Sequence, residues 1–235
     1  MKMKMSTMAL AAIAVFVPHA AATTVFRSIN DNGIFTPFNS NTPAGTKFGD
    51  GGWLSGFQPD NYVLTGITLG LCTFGGQNPG TTDLVFTFND GDPSGLVFGT
   101  GASLYSTTVR GVALPADDTS DLQLFTVTIP LPNVQTAGGF NNIGFSIGVE
   151  NFVFDGAFGF QCSSALGQAV GFYTNNASQY SGGAWSLFSF GPGDFGVANF
   201  VATITAVPSP SALAVFCLRS EEHTSELQAL TNLVC

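Results

Sequence analysis

The chain has 235 residues, of which 45% are hydrophobic and only 9% charged, against about 25% charged in a typical soluble protein. With 23 Phe and 29 Gly it holds ample apolar material for a core, so the scarcity of charge does not signal disorder, and its length suits one ordinary domain or two small ones. A net charge of −9 and a pI near 4.2 argue against nucleic acid and against electrostatic attachment to anionic lipid, because both partners need Lys and Arg clusters.

The first residues read as an export signal. MKMKM supplies Lys2 and Lys4, Met8 to Val17 is an apolar run too short to span a bilayer, Pro18 breaks it, and Ala20 to Ala22 offer small residues for cleavage before Thr23. Residues 1–22 are therefore expected to be a leader, and residues 23–206 the folded domain. Predicted strands follow as TTVFRS (23–28), YVLTGITLGLCTF (62–74), TDLVFTFN (82–89), SLYSTTVRG (103–111), LQLFTVTIP (122–130), NIGFSIGV (142–149), AVGFYTN (169–175), AWSLFSF (184–190) and FGVANFVATITAV (195–207). In LQLFTVTIP the alternation flips at Phe125, which predicts a bulge or a strand covered on both faces. In FVATITAV, Val201, Thr203 and Thr205 alternate with Ala202, Ile204 and Ala206. Ile29 to Asp60, rich in Gly, Asn and Pro, reads as long loops on the edge of one sheet. Short strands between turn signals, with no sustained helical period, predict an all-β, antiparallel two-sheet sandwich of jelly-roll type with nine or ten strands.

Chemistry-bearing residues are few. With the leader and the tail set aside the domain has no His, which removes the commonest general base and most zinc chemistry. Its bases are Arg27, Lys47 and Arg110, and its only Glu is Glu150. Glu150 and Asp155 in VENFVFDG form the best carboxylate pair for glycoside hydrolysis, a reading that competes with a solvated loop. Asn89, Asp90 and Asp92 in FNDGDPSG carry the oxygens Ca²⁺ favours, although the spacing is not that of an EF-hand and the same residues spell ordinary turns. Asp117, Asp118 and Asp121 form a second acidic stretch. Trp53, Trp185 and Tyr180, with Tyr62 and Tyr173, lie in or near Gly-rich segments, where an aromatic face can stack on the C–H face of a sugar; core packing is the competing reading. Cys72 and Cys162, exported to an oxidising compartment, are a candidate disulfide closing a loop of about 90 residues. The reading from these residues is non-catalytic, with no cofactor beyond possible Ca²⁺.

The C-terminal segment carries two resemblances. TAVPSPSALAVFCL (205–218) is a turn at Val207, Pro208, Ser209 and Pro210 followed by an apolar run too short to cross a membrane. It resembles the PEP-CTERM sorting signal of exported bacterial proteins, in which a Val-Pro-Glu-Pro-like turn precedes an apolar helix and an Arg cluster. Here Ser209 stands where Glu is usual, and the long helix and Arg cluster are missing. The resemblance implies a membrane exosortase as processing partner, association with exopolysaccharide, an address at the cell envelope or outside the cell, and membrane contact only through residues 207–218. RSEEHTSELQ, which opens residues 219–235, is similar to the conceptual translation of a sequencing adapter. The Glu and His of that tail are foreign to the domain's composition, so His223 and Cys235 carry no functional argument. The expected function is a non-catalytic surface or matrix protein, with a carbohydrate-binding module as the alternative and a glycosidase as the third reading.

Overall fold

A computed structural model describes residues 21–29, 33–54, 62–116, 121–134, 142–164, 167–174, 176–190 and 198–208. These residues form an antiparallel two-sheet β-sandwich. Sheet I contains β1 (Thr23–Ser28), β2 (Phe35–Phe38), β4 (Tyr62–Phe74), β7 (Gln123–Val134), β9 (Ala157–Ser163), β10 (Gln168–Val170), β14 (Asn199–Phe200) and β15 (Ala202–Pro208). Sheet II contains β3 (Lys47–Trp53), β5 (Gly80–Gly91), β6 (Gly99–Leu114), β8 (Asn142–Val153), β11 (Phe172–Tyr173), β12 (Ala177–Ser181) and β13 (Ala184–Phe188). Sheet I runs β10-β1-β15-β4-β9-β14, with β7 on β4 and β2 on β9; sheet II runs β13-β12-β3-β8-β5-β6, with β11 on β3.

Alternation drives the burial, since successive side chains of a strand point to opposite faces. Leu84, Phe86 and Phe88 of β5, Ile67, Leu69 and Leu71 of β4, and Ala202, Ile204 and Ala206 of β15 all turn inward and are buried. Phe rings join the two sheets. Phe160 of sheet I stacks on Phe200 at 4.2 Å between centroids and meets Phe145 of sheet II at 6.1 Å.

Two expectations are corrected. β7 has no bulge at Phe125: its pairing with β4 is continuous from Gln123 to Pro130 and shifts only farther along, opposite Leu64 and Gly66. Val127 and Ile129 keep the inward parity of Phe125, and Leu124 is simply left 55% exposed on the outer face. The segment read as loops also contains β2 and β3, and β3 lies inside sheet II, paired with β8 on one edge and with β11 and β12 on the other.

The glycines that hid β3 have a packing reason. The 90–101 connection between β5 and β6 folds back over the outer face of sheet II. A Cβ on Gly49 would meet Pro93 at 2.9 Å, one on Gly51 would meet the Asp92 backbone at 2.9 Å, and one on Gly144 of β8 would lie 1.7 Å from the Gly91 carbonyl oxygen. Phe98 of that connection stacks on Trp53 at 4.5 Å. Gly144→Ala is therefore expected to push the connection off the sheet. Overpacking costs about 1–3 kcal/mol, and the obstructing atom here is backbone that cannot rotate aside. A lower melting midpoint together with a changed Trp53 emission checks this; unchanged emission would show that the connection does not rest on Gly144.

Candidate functional site

β3 and β8 end at different places, and this builds a cleft. β3 begins at Lys47, opposite Gly148, whereas β8 continues to Val153. The 39–46 segment runs beside the overhanging end of β8, and between them lies an open cleft of about 610 Å³. Turn hydrogen bonds fix the segment: Thr42 N–H donates to the Asn39 carbonyl at 2.9 Å, Asn41 N–H to Asn39 Oδ1 at 2.8 Å, and Thr46 Oγ1 to the Pro43 carbonyl at 2.7 Å. The opposite wall carries Glu150, Asn151, Phe152 and Phe154.

A β-bulge shapes that wall. Between the pairs Thr81–Val153 and Asp83–Glu150, β8 spends one residue more than β5. Asn151 sits there with φ of 49°, the left-handed region that Asn tolerates best among residues with a side chain. On the other side of β5, β6 carries a matching bulge at Gly111, with φ of 63°. Asp83 ties the two together: Gly111 N–H donates to Oδ1 at 2.7 Å and Asn151 Nδ2 to Oδ2 at 2.8 Å. The Gly111 bond, then the Asn151 bond, with a smaller contribution from the Arg110 charge, hold the Asp83 carboxyl below its ordinary range. Phe152 and Phe154 meet edge to face, 6.4 Å between centroids. Phe154 is braced against Gly76 and Gly80, where a Cβ would collide with its ring.

The carboxylates read as a hydrolytic pair do not share this cleft. Glu150 lines it, but Asp155 does not. Asp155 accepts from Asn78 Nδ2 at 3.0 Å and from Asn78 N–H at 3.4 Å, and the first of these bonds chiefly lowers its pKa. A general acid for glycoside cleavage needs the opposite shift. The neighbour of Glu150 across the strands is Asp83, a residue the sequence reading passed over.

The aromatic candidates separate into three situations. Tyr180 and Trp185 are cross-strand partners on the β12–β13 hairpin, their rings 5.4 Å apart and both half-buried. Tyr180 also pairs with Lys47, so Trp185, Tyr180, Lys47 and Gly148 form one row across four strands on the outer face of sheet II. Trp53 has one ring face covered by Phe98. Tyr173 is a core residue, contrary to the sugar-stacking reading: it is 8% exposed, meets Phe26 edge to face, and its hydroxyl donates to the Phe200 carbonyl and contacts Ser28 Oγ. The side chain of Tyr62 lies outside the described residues.

Asn89, Asp90 and Asp92 hold the 90–101 connection in place. Asn89 Nδ2 donates to the Gly101 carbonyl at 2.9 Å, and Thr100 Oγ1 donates to Asp90 Oδ2 at 2.9 Å. Asp92 Oδ1 accepts from Ser94 N–H and from Ser178 Oγ, and Oδ2 from Ser94 Oγ. These are the bonds of turns, the competing reading of this stretch. Among the described residues no three His, Cys, Asp or Glu side chains come together as metal ligands. Asp117 and Asp118 lie outside the described residues, and Asp121 sits exposed before β7.

The disulfide expectation is not met: Cys72 and Cys162 are separate buried thiols. Cys72 is registered with Gly159 on the neighbouring strand, and Cys162 lies an odd number of residues farther along, which places it on the opposite face. Burial pushes both thiols up to about 12, so neither is a ready nucleophile. Of the sorting turn, Val207 and Pro208 are the last residues of β15, paired with Val63 and Tyr62; Ser209 and Pro210 lie outside the described residues, as do residues 1–20 and the tail.

One buried carboxyl escaped the sequence reading. Asp50 of β3 is fully buried and points into the space between the sheets, where Oδ2 accepts Phe200 N–H at 2.8 Å and Oδ1 accepts Gly51 N–H at 2.7 Å. Burial, against the pull of those two bonds and aided by nearby Asp92, pushes it well above the ordinary carboxylate range. Its signal in the sequence, Gly-Asp-Gly-Gly, is indistinguishable from a turn. No known protein family, characterised protein or solved structure matches this chain.

Proposed function

We propose that this chain is an exported, non-catalytic surface domain that associates with exopolysaccharide, addressed through a PEP-CTERM-like turn at Val207 to Pro210. The observation that carries this reading is the paired, half-buried Tyr180 and Trp185 on a short hairpin at the edge of sheet II. Two rings held side by side on a hairpin offer rigid apolar faces at little entropic cost, as sugar C–H faces require. Few charged residues, with a net charge of −9, fit a neutral, hydrated partner better than an anionic one. Trp53, covered on one face, and Tyr173, buried, are left out of the contact surface.

Binding of the purified chain to exopolysaccharide from its own source tests the reading. Trp185→Ala is expected to weaken retention about tenfold, within the range that loss of one good stacking contact spans. Retention indifferent to both Trp185→Ala and Tyr180→Ala would overturn the aromatic contact, and wild-type protein that no matrix polysaccharide retains would overturn the association itself.

A further inference from the structure

We infer that the cleft between the 39–46 segment and the overhanging end of β8 is a binding subsite for a neutral hexose unit. The inference rests on the glycan-associated reading above and places a second contact point where neither aromatic candidate lies.

Two observations carry it. The first is chemistry. The cleft presents Ser40, Asn39 and Asn151 as neutral donors and acceptors, Glu150 as the one carboxylate, and the half-buried rings of Phe152 and Phe154. No Lys or Arg lines it, so a phosphate, sulfate or uronate would meet Glu150 with no counter-charge. A polyhydroxylated neutral ring suits it: hydroxyls donate to the carboxylate and exchange bonds with the amides, while the C–H face rests on phenyl.

The second observation is pre-organisation. One wall is fixed by its own turn bonds, and the other is set by the Asn151 bulge, which Asp83 clamps through both of its oxygens. Bulges recur beside functional sites because they re-aim side chains, and a left-handed non-Gly residue persists only where its surroundings hold it. At about 610 Å³ the cleft falls within the ordinary range for small-molecule sites.

The test is amide-shift titration of the full chain with gluco-, galacto- and manno-configured neutral trisaccharides, and with tri-galacturonate as the anionic arm. At least one neutral trisaccharide is expected to shift Ser40, Gly45 and Asn151 together, Glu150→Gln to weaken it about tenfold, and tri-galacturonate to bind more weakly than its neutral counterpart. Glu150 is exposed, so Glu150→Gln leaves the fold intact. Asp83→Asn, which removes the clamp's charge, is expected to weaken binding without abolishing it. No neutral trisaccharide moving the cleft amides, or tri-galacturonate binding more tightly than every neutral one, overturns the inference. If matrix polysaccharide is retained through Trp185 while the cleft stays silent, the functional reading stands and the subsite alone falls. If the cleft responds while no matrix polysaccharide is retained, the subsite stands and the association falls.

Discussion

Asp50→Ala is expected to destabilise the domain by roughly 4 kcal/mol, since each buried donor left without an acceptor costs about 1–3 kcal/mol and the change orphans two, Phe200 N–H and Gly51 N–H. For a domain of this size that lowers the melting midpoint by roughly 10 °C. The bond to Phe200 joins β3 of sheet II to β14 of sheet I, so the loss falls on the seam between the sheets. Beside it, Ser28 Oγ donates to the Phe200 carbonyl at 3.0 Å and accepts Ala202 N–H at 3.1 Å. Asp50 also gives stability a particular pH dependence. Its folded pKa is raised well above the unfolded value near 3.9, so the native state holds a proton that the unfolded chain has released. The contribution is fully present below about pH 4 and is lost as pH rises through the folded pKa. Asp83 and Asp155, with depressed pKa values, act in the opposite sense and lose their contributions as pH falls. Asp50→Asn isolates the first effect. Its amide places an N–H₂ against one of the two backbone donors, so it is less stable than wild type at low pH, and the gap should narrow as pH rises from 4 to 8. A gap that stays constant over that range would show that Asp50 does not retain its proton on folding.

Phe160→Ala is expected to cost about 3–5 kcal/mol, the usual range for removing a fully buried ring. Phe160 has no exposed surface, lies nearly parallel to Phe200 with 8° between the ring planes, and meets Phe145 of the facing sheet. The cavity would open at the contact between sheets, where neighbouring backbone is pinned by ladder bonds on both sides and cannot collapse into it. Chemical denaturation should show a lower midpoint with an unchanged slope. A loss under 1 kcal/mol would mean that the sheets do not depend on this ring stack.

β1 and β4 are legible in the sequence to the residue, because alternation and turn residues mark both ends. The alternation of β15 is legible too, its inward Ala202, Ile204 and Ala206 opposing Thr203 and Thr205, but the single strand predicted over 195–207 is interrupted at Val201, between β14 and β15. β3 is not, because KFGDGGW carries glycines that local propensity assigns to a turn, whereas their cause is a connection forty residues on that presses its backbone against the sheet. Asp50 sits between Gly49 and Gly51 and Tyr173 two residues past Gly171, and only tertiary placement sends both inward. The cysteine pairing failed for a simpler reason: loop length says nothing about faces, and an odd offset along β9 reverses them. Tyr180 and Trp185 stand out in the sequence as aromatics near a Gly-rich segment, but their adjacency follows from the turn at Gly182 and Gly183, both at positive φ. The cleft drew on segments far apart in the chain, so neither wall announces the other; the one local hint is Asn151, the residue type best suited to a left-handed bulge.

The place of β15 bears on how the chain reaches its fold. It is the last described strand, yet it lies in the middle of sheet I, with β1 on one edge (Thr23 opposite Ala206) and β4 on the other (Val63 opposite Val207). Until it arrives, both of those strands present open edges and Val25, Phe26 and Ile67 lack part of their cover. Closing the sheet requires contacts that span nearly the whole domain, which is a slow search. A polypeptide made amino-terminus first would therefore wait, with sticky edges exposed, until its final segment was synthesised. Premature termination anywhere before Ala202 is thus expected to yield an aggregating product rather than a smaller version of the same sandwich.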